Sequence, residues 1–139
     1  MSDSTATPRR AEQRGGRPVK IPGPEHPITI EPNPGRVTVS VAGRQVADTR
    51  RALTLREASY APVQYIPLAD VNRDLLTPSD HESYCPFKGD ASYWSVPGAG
   101  EAGVNLVWEY REPYEAVARI RGHVAFYADR AEIEERFDG

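Results

Sequence analysis

The chain has 139 residues and a formal net charge of −3, with 39% hydrophobic and 27% charged residues. This length favours one globular domain, and the acidic balance argues against nucleic-acid binding, which needs a basic surface. No window holds the run of about 18 apolar residues of a membrane-spanning helix, and a single cysteine cannot form an internal disulfide. We therefore expect a cytoplasmic protein that binds neither nucleic acid nor membrane.

Residues 1–26 differ in composition from the rest of the chain. They hold few large apolar side chains beyond Val19 and Ile21, and they carry five Lys or Arg residues against three Asp or Glu residues. Such a segment cannot bury enough surface to offset the entropy lost on ordering. We predict a disordered basic leader over residues 1–26 and a single domain over residues 27–139. The alternative is an arm for a nucleic acid or an acidic partner.

The first part of the predicted domain has the pattern of β-strands. Apolar and polar side chains alternate in residues 28–30 and 37–41, and this spacing places the apolar ones on one face of a strand. Turn residues at positions 42–44 lead into a run that resumes at Val46. The sequence therefore predicts a hairpin over residues 36–47.

Two further strands and a helical segment follow. Residues 53–56 alternate in the same way. Residues 63–66 are predicted to form a short strand bounded by Pro62 and Pro67, which cannot extend a ladder of hydrogen bonds. The apolar residues of positions 68–76 recur at helical spacing, which predicts one or two helical turns.

The last part of the chain alternates turns and strands. Turn-forming residues predict a loop at 77–81, and strand-like runs cover 91–96 and 105–110 around a glycine-rich loop. Proline at a first-turn position predicts a short helix over 113–120. The remaining residues, 123–133, are expected to form a pair of strands. Many short strands with little helix favour a small antiparallel, mainly β fold with one or two short helices.

One segment carries a family resemblance. Residues 84–94 read Tyr-Cys-Pro-Phe-Lys-Gly-Asp-Ala-Ser-Tyr-Trp, and this run is similar to the hallmark of the family named domain of unknown function 427. Further blocks in the right order extend the resemblance over about residues 36–133; they are residues 46–53 with Glu57, 62–67, Asp70-Val71, Trp108 with Tyr110, and 124–127. The resemblance implies two antiparallel sheets leaning together like a tent, as in the zinc-bearing methionine sulfoxide reductase and cereblon thalidomide-binding domains. Members have no settled biochemical role, and likeness of fold does not transfer function.

The motif contains two candidates for chemistry. Cys85 is a candidate nucleophile because Lys88, three residues later, could favour its thiolate form. The alternative is that Cys85 is a small buried hydrophobic residue. The turn at Lys88, Gly89 and Asp90 could hold an anionic group, or it could join two strands with a solvated lysine.

Charged and aromatic residues outside the turn complete the candidate site. Arg51 could bind a carboxylate or phosphate with both arms of its guanidinium group, or it could pair with Glu57, which is a candidate proton acceptor. Small β domains use large aromatic side chains mainly as core, but some could line a cleft. We expect Trp108 to lie in the core and Trp94 at the rim of a pocket.

Metal and cofactor sites find no support in the sequence. A structural zinc site needs about four Cys or His ligands, whereas the chain has one cysteine and three histidines. Neither a glycine-rich phosphate loop nor the Gly-Ser and Asp-x-Asp pattern of nucleotidyltransferases is present. No metal and no cofactor are therefore predicted.

These observations predict a small-molecule binding domain for an anionic or polar metabolite. The pocket would draw on Arg51, Glu57, Tyr65, Cys85, Lys88, Trp94 and Trp108. Catalysis is left open, with Cys85 and Glu57 as its candidate residues. The alternative is a non-catalytic structural or protein-interaction module in which the same residues only stabilise the fold.

Overall fold

The computed structural model describes residues 13–14 and 17–137. Its strands are β1 (Gln13–Arg14), β2 (Arg17–Pro18), β3 (Ile28–Pro32), β4 (Arg36–Val41), β5 (Arg44–Thr49), β6 (Leu53–Glu57), β7 (Val63–Pro67), β8 (Thr77–Cys85), β9 (Gly89–Ser95), β10 (Val107–Glu109), β11 (His123–Phe126) and β12 (Glu132–Arg136). Every strand pair is antiparallel. The larger sheet has seven strands in the order β3-β6-β7-β11-β10-β9-β8, and the smaller one has three in the order β12-β4-β5, while β1 and β2 pair only with each other. The prediction of a mainly β, two-sheet fold is confirmed.

The hairpin predicted over residues 36–47 is formed by β4 and β5. Its two turn residues, Ala42 and Gly43, have φ angles of 51° and 81°. Positive φ at both central residues is the signature of the tight turn whose twist matches the flanking strands. Alternation along β4 buries Val37, Val39 and Val41, as the pattern predicts.

Helical structure in the described residues is limited to short 3₁₀ segments, which are Leu68–Asp70, Arg73–Leu75, Pro97–Gly103 and Glu115–Ile120. The helix expected over residues 68–76 is split into two turns, because Val71 bridges to Ala47 and the Asn72 amide donates to the Val46 carbonyl. The helix expected to begin at Pro113 begins two residues later, at Glu115. No helix among the described residues is long and apolar enough to cross a membrane.

The loop predicted at residues 77–81 is wrong, because these residues belong to β8. Strand β8 lies at the edge of the seven-stranded sheet, where a proline such as Pro78 is tolerated because one side of the strand needs no partner. The pairing with β9 shifts register between Pro78 and Glu82. This irregularity accommodates the turn-forming residues that suggested a loop.

The strand pair expected over residues 123–133 is also wrong. Strand β11 pairs with β7 and β10 in the larger sheet, whereas β12 pairs with β4 in the smaller one. The register places Ile133 opposite Val39, so that Ile133 packs against the core between the sheets. Burial of this side chain needs β4, which is distant in sequence.

The seven-stranded sheet has an apolar core on each face. One face packs against the three-stranded sheet through residues such as Ile66, Val107 and Val124. The other face carries a second cluster that includes Leu55, Tyr65, Tyr93, Tyr110, Val117, Ile120 and Ala125. Because neighbouring residues of a strand point to opposite faces, β10 contributes Val107 to the first core and Trp108 to the second.

Part of the segment predicted as a leader lies against the domain. The Arg17 guanidinium donates to the Asp90 carboxylate at 2.5 Å, and the Tyr84 hydroxyl donates to the Pro18 carbonyl at 2.6 Å. The Lys20 amide donates to the Pro86 carbonyl at 2.9 Å. Residues 1–12 and 15–16 lie outside the described residues, and the boundary at residue 26 stays a prediction.

Candidate functional site

A cavity of about 260 Å³ opens on the face of the seven-stranded sheet that is turned away from the smaller sheet. Six aromatic side chains line it, from Tyr60, Tyr65, Tyr93, Trp108, Tyr110 and Tyr127. Leu55, Ala61 and Val63 complete the apolar wall, and Glu57 and Lys88 supply the charged groups. We call this space the aromatic cavity.

Strand geometry explains why these residues share the cavity. Side chains two positions apart point to the same face, and the lining includes Leu55 and Glu57 of β6, Val63 and Tyr65 of β7, and Trp108 and Tyr110 at β10. The register pairs Leu55 with Val63 and Trp108 with Tyr93. The aromatic cavity is therefore built on a single sheet, and the segments that connect its strands add Tyr60, Ala61 and Lys88.

A buried ion pair forms the polar end of the aromatic cavity. The Lys88 ammonium lies 2.6 Å from Oε1 of Glu57, and the two side chains are 9% and 14% exposed. The other carboxylate oxygen of Glu57 lies 2.7 Å from Nε2 of His26. The His26 ring stacks on Phe87, with ring centroids 4.1 Å apart.

The Glu57 carboxylate is held in its ionised form. Burial alone would raise the pKa of this carboxyl, but the hydrogen bonds from Lys88 and His26 outweigh burial and lower the pKa below its ordinary value. A carboxylate with two donors is stabilised in the charged state. Glu57 is therefore an ionised acceptor of hydrogen bonds at neutral pH.

The turn of the motif brings Cys85 and Lys88 together. The Lys88 amide donates to the Cys85 carbonyl at 3.2 Å, and this places the Lys88 ammonium 3.5 Å from the Cys85 sulfur. Gly89 follows with a φ of 110°, which favours glycine. Cys85 is half-buried and packs against the second core, so it lies behind Lys88 and not among the residues that line the aromatic cavity.

Tyrosine hydroxyls line the rest of the aromatic cavity. The Trp108 indole donates to the Tyr65 hydroxyl at 3.1 Å. Burial raises the pKa of the Tyr65 and Tyr110 hydroxyls well above the ordinary value. Burial, together with a hydrogen bond to Tyr93, raises the pKa of Tyr127 to about 12. All three phenols are therefore protonated at neutral pH.

Two residues expected in the site lie elsewhere. Arg51 pairs with Asp70 at 3.2 Å on the surface instead of with Glu57, and its side chain is 65% exposed. Trp94 is opposite Val107 in the register, so it lies on the other face of the sheet and packs against the core between the sheets. The structure thus brings together Glu57, Tyr65, Lys88 and Trp108, with Cys85 beside Lys88.

Several residues that line the cavity were not expected in the site from the sequence: Tyr60, Ala61, Val63, Tyr93, Tyr110 and Tyr127. For two of them, the position in a strand-like run indicated that they could share a face with Trp108. Tyr110 is two positions from Trp108 on a strand-like run, and Tyr93 belongs to the neighbouring run. His26 gave no such signal, because it precedes the predicted domain.

The model of the family described as Domain of unknown function (DUF427) matches residues 29–136. The chain belongs to this family. In this family member the matched region contains every residue that lines the aromatic cavity, from Leu55 to Tyr127, whereas His26 lies just before it. No curated protein matches the chain.

The DUF427 chain shows no metal cluster in the part that the structure describes: no three His, Cys, Asp or Glu side chains lie close enough together to hold an ion. The groups that can act at the aromatic cavity are the Glu57 carboxylate, the Lys88 ammonium and the phenol hydroxyls. They can donate and accept hydrogen bonds and can carry protons.

Cys85 should react with iodoacetamide in the native protein, because its side chain is half-buried and its sulfur lies 3.5 Å from the Lys88 ammonium, which can stabilise the negative charge on sulfur during the attack. Lys88→Met removes that cation and is expected to slow alkylation, whereas Arg51→Met removes a surface cation and should leave the rate unchanged. The rates can be followed by mass spectrometry under conditions where each variant is folded. Alkylation only after denaturation would show that Cys85 is an inert core residue.

Proposed function

We propose that this DUF427 protein is a small-molecule binding domain and that the aromatic cavity receives a polar, planar metabolite. The observation that carries the proposal is a cavity that joins six aromatic side chains to the buried Glu57–Lys88 pair. Ligand sites are mostly apolar, with a few placed polar groups, and hold about 300–1,000 Å³. The aromatic cavity, at about 260 Å³, suits a ligand of one ring.

The placement of the polar groups favours ligand binding over an interaction module. Glu57, Tyr65, Lys88 and Trp108 line one cavity, whereas a purely structural role would allow them to disperse over the surface. Arg51 pairs with Asp70 away from the aromatic cavity. Among the described residues that line the cavity, the positive charge therefore comes from Lys88, and Glu57 balances it. A polar metabolite therefore suits the aromatic cavity better than an anionic one.

A catalytic role in this proposal would belong to Glu57 as proton acceptor, with Lys88 as proton donor and Cys85 behind it. The distances of 2.6 Å and 3.5 Å from the Lys88 ammonium to Glu57 and Cys85 support such a transfer. We also propose that the protein works in the reducing cytoplasm, in keeping with its single, unpaired cysteine.

Filling the aromatic cavity should abolish binding. Benzamide, benzoate and benzylamine are suitable one-ring probes, and a probe that binds only the folded state raises the melting temperature. We expect at least one of them to raise it in the natural protein and none to do so in Ala61→Trp, whose new side chain occupies the cavity. Ala69→Trp makes the same change at another exposed position and should keep the response. If the probes raised the melting temperature of Ala61→Trp as much as that of the natural protein, they would bind outside the aromatic cavity.

A further inference from the structure

Tyr110 is a buried tyrosine in the wall of the aromatic cavity. It is 7% exposed and lines the cavity, and its hydroxyl has no hydrogen-bond partner among the residues that the structure describes. A buried polar group without a partner costs free energy, and such groups are rare in folded proteins. The Tyr110 hydroxyl can therefore form a hydrogen bond with a ligand that enters the cavity.

The hydroxyl of a second tyrosine in the same wall also has a hydrogen-bond donor without an acceptor. Tyr65 is 1% exposed, and its oxygen accepts the indole proton of Trp108 at 3.1 Å. Its own proton has no acceptor among residues 17–137. Because burial raises the pKa of both phenols, they stay protonated and act as donors. The group that they would bind is an acceptor.

The charges of the aromatic cavity decide whether that acceptor is ionised. The charged side chains that line it are Glu57 and Lys88, and they pair with each other at 2.6 Å. A carboxylate that leaves water for this cavity would meet the Glu57 carboxylate, and an ammonium group would meet Lys88. A charged ligand would lose its hydration in the cavity without gaining an unpaired opposite charge in return.

We infer that the ligand is an uncharged planar molecule that carries a carbonyl oxygen, and that this oxygen accepts hydrogen bonds from Tyr110 and Tyr65. The inference rests on the proposed function, because it takes the aromatic cavity as the binding site. The rings of Trp108 and the tyrosines supply flat apolar walls for the body of the ligand. The carbonyl satisfies the two phenols without adding charge beside the Glu57–Lys88 pair.

Three one-ring probes of similar size separate the possible charge states. Benzamide carries an uncharged carbonyl, benzoate a negative charge and benzylamine a positive charge. By isothermal titration calorimetry we expect benzamide to bind at least tenfold more tightly than the other two. Tighter binding of benzoate or benzylamine would overturn the inferred ligand class and leave the cavity as a binding site, whereas no binding by any probe would overturn the proposed function as well.

The Tyr110 hydroxyl can be tested without changing the shape of the wall. Tyr110→Phe should weaken benzamide binding roughly tenfold, the effect of one lost hydrogen bond to a buried group. It should leave the melting temperature of the ligand-free protein unchanged or higher, because it removes an unsatisfied group. Tyr84→Phe, the same change at a tyrosine that does not line the aromatic cavity, should leave benzamide binding unchanged. A lower melting temperature for ligand-free Tyr110→Phe would show a structural role and contradict the inference.

Discussion

Glu57→Gln is expected to destabilise the folded protein by about 3 kcal/mol at pH 7, because it leaves the Lys88 ammonium buried without its counter-charge. The two groups are 2.6 Å apart, and both side chains are largely shielded from water. The change also removes the charge that His26 contacts through the other carboxylate oxygen. Urea denaturation of the two proteins measures the difference in the free energy of unfolding.

The loss should depend on pH in a defined direction. The pKa of the Glu57 carboxyl is lower in the folded protein than its ordinary value, which applies to the unfolded chain. The carboxylate therefore contributes stability at pH values above the unfolded pKa, and this contribution disappears as the pH falls through the folded pKa. The stability difference between the natural protein and Glu57→Gln should be largest near neutral pH and should shrink in acid. A difference that stays constant across this range would contradict the ionised state of Glu57.

Two variants control for effects other than the ion pair. In the double variant Glu57→Gln with Lys88→Met neither charge is left unpaired, so its destabilisation should be smaller than the sum of the two single losses. Arg51→Gln breaks the exposed pair with Asp70 and should cost less than about 1 kcal/mol. Strict additivity of the two single losses would mean that Glu57 and Lys88 do not act as a pair.

Trp94→Ala is expected to cost about 3 kcal/mol of stability, because it leaves a cavity in the core between the sheets. It also removes the indole donor that lies 3.0 Å from the Glu109 carboxylate, which is only 5% exposed. Benzamide binding to the folded variant should be unchanged, since Trp94 faces away from the aromatic cavity. Denaturation and calorimetry measure the two quantities separately.

Trp108→Ala is the matched change on the other face of the sheet. Trp108 lines the aromatic cavity and donates to Tyr65, so its removal should weaken benzamide binding about tenfold or more, in line with the cost of losing an aromatic contact. This pattern reverses the sequence-based prediction, in which Trp108 is core and Trp94 is pocket rim. Loss of binding in Trp94→Ala, with binding retained in Trp108→Ala, would restore that prediction.

The local pattern of side chains was sufficient to predict most of the strands, although not β8. Alternation places Val37, Val39 and Val41 on one face whatever the strand pairs with, because the strand period of two is a property of the backbone. The hairpin at Ala42-Gly43 is equally local, since the turn needs only residues that accept positive φ. Likewise the short spacing in the motif places Lys88 beside Cys85.

Pairing and register were decided only by the tertiary structure. Trp94 lies opposite Val107, and Tyr93 lies opposite Trp108; a slip of one residue would turn either strand over, and no local pattern fixes that choice. Strand β12 pairs with β4, which lies about 95 residues earlier in the chain, because this pairing lets Ile133 pack against the core between the sheets.

The sequence by itself determined the family, from motif blocks that follow one another in order along the chain. It also determined the mainly β fold and the closeness of Cys85 to Lys88, which depend on residues near one another in the chain. The tertiary structure decided that Glu57 pairs with Lys88 and His26, that Arg51 pairs with Asp70, and that six aromatic side chains enclose a cavity. Ion pairs and cavity walls depend on distances between side chains that lie far apart along the chain. Those distances are set by how the strands are ordered and aligned in the sheet.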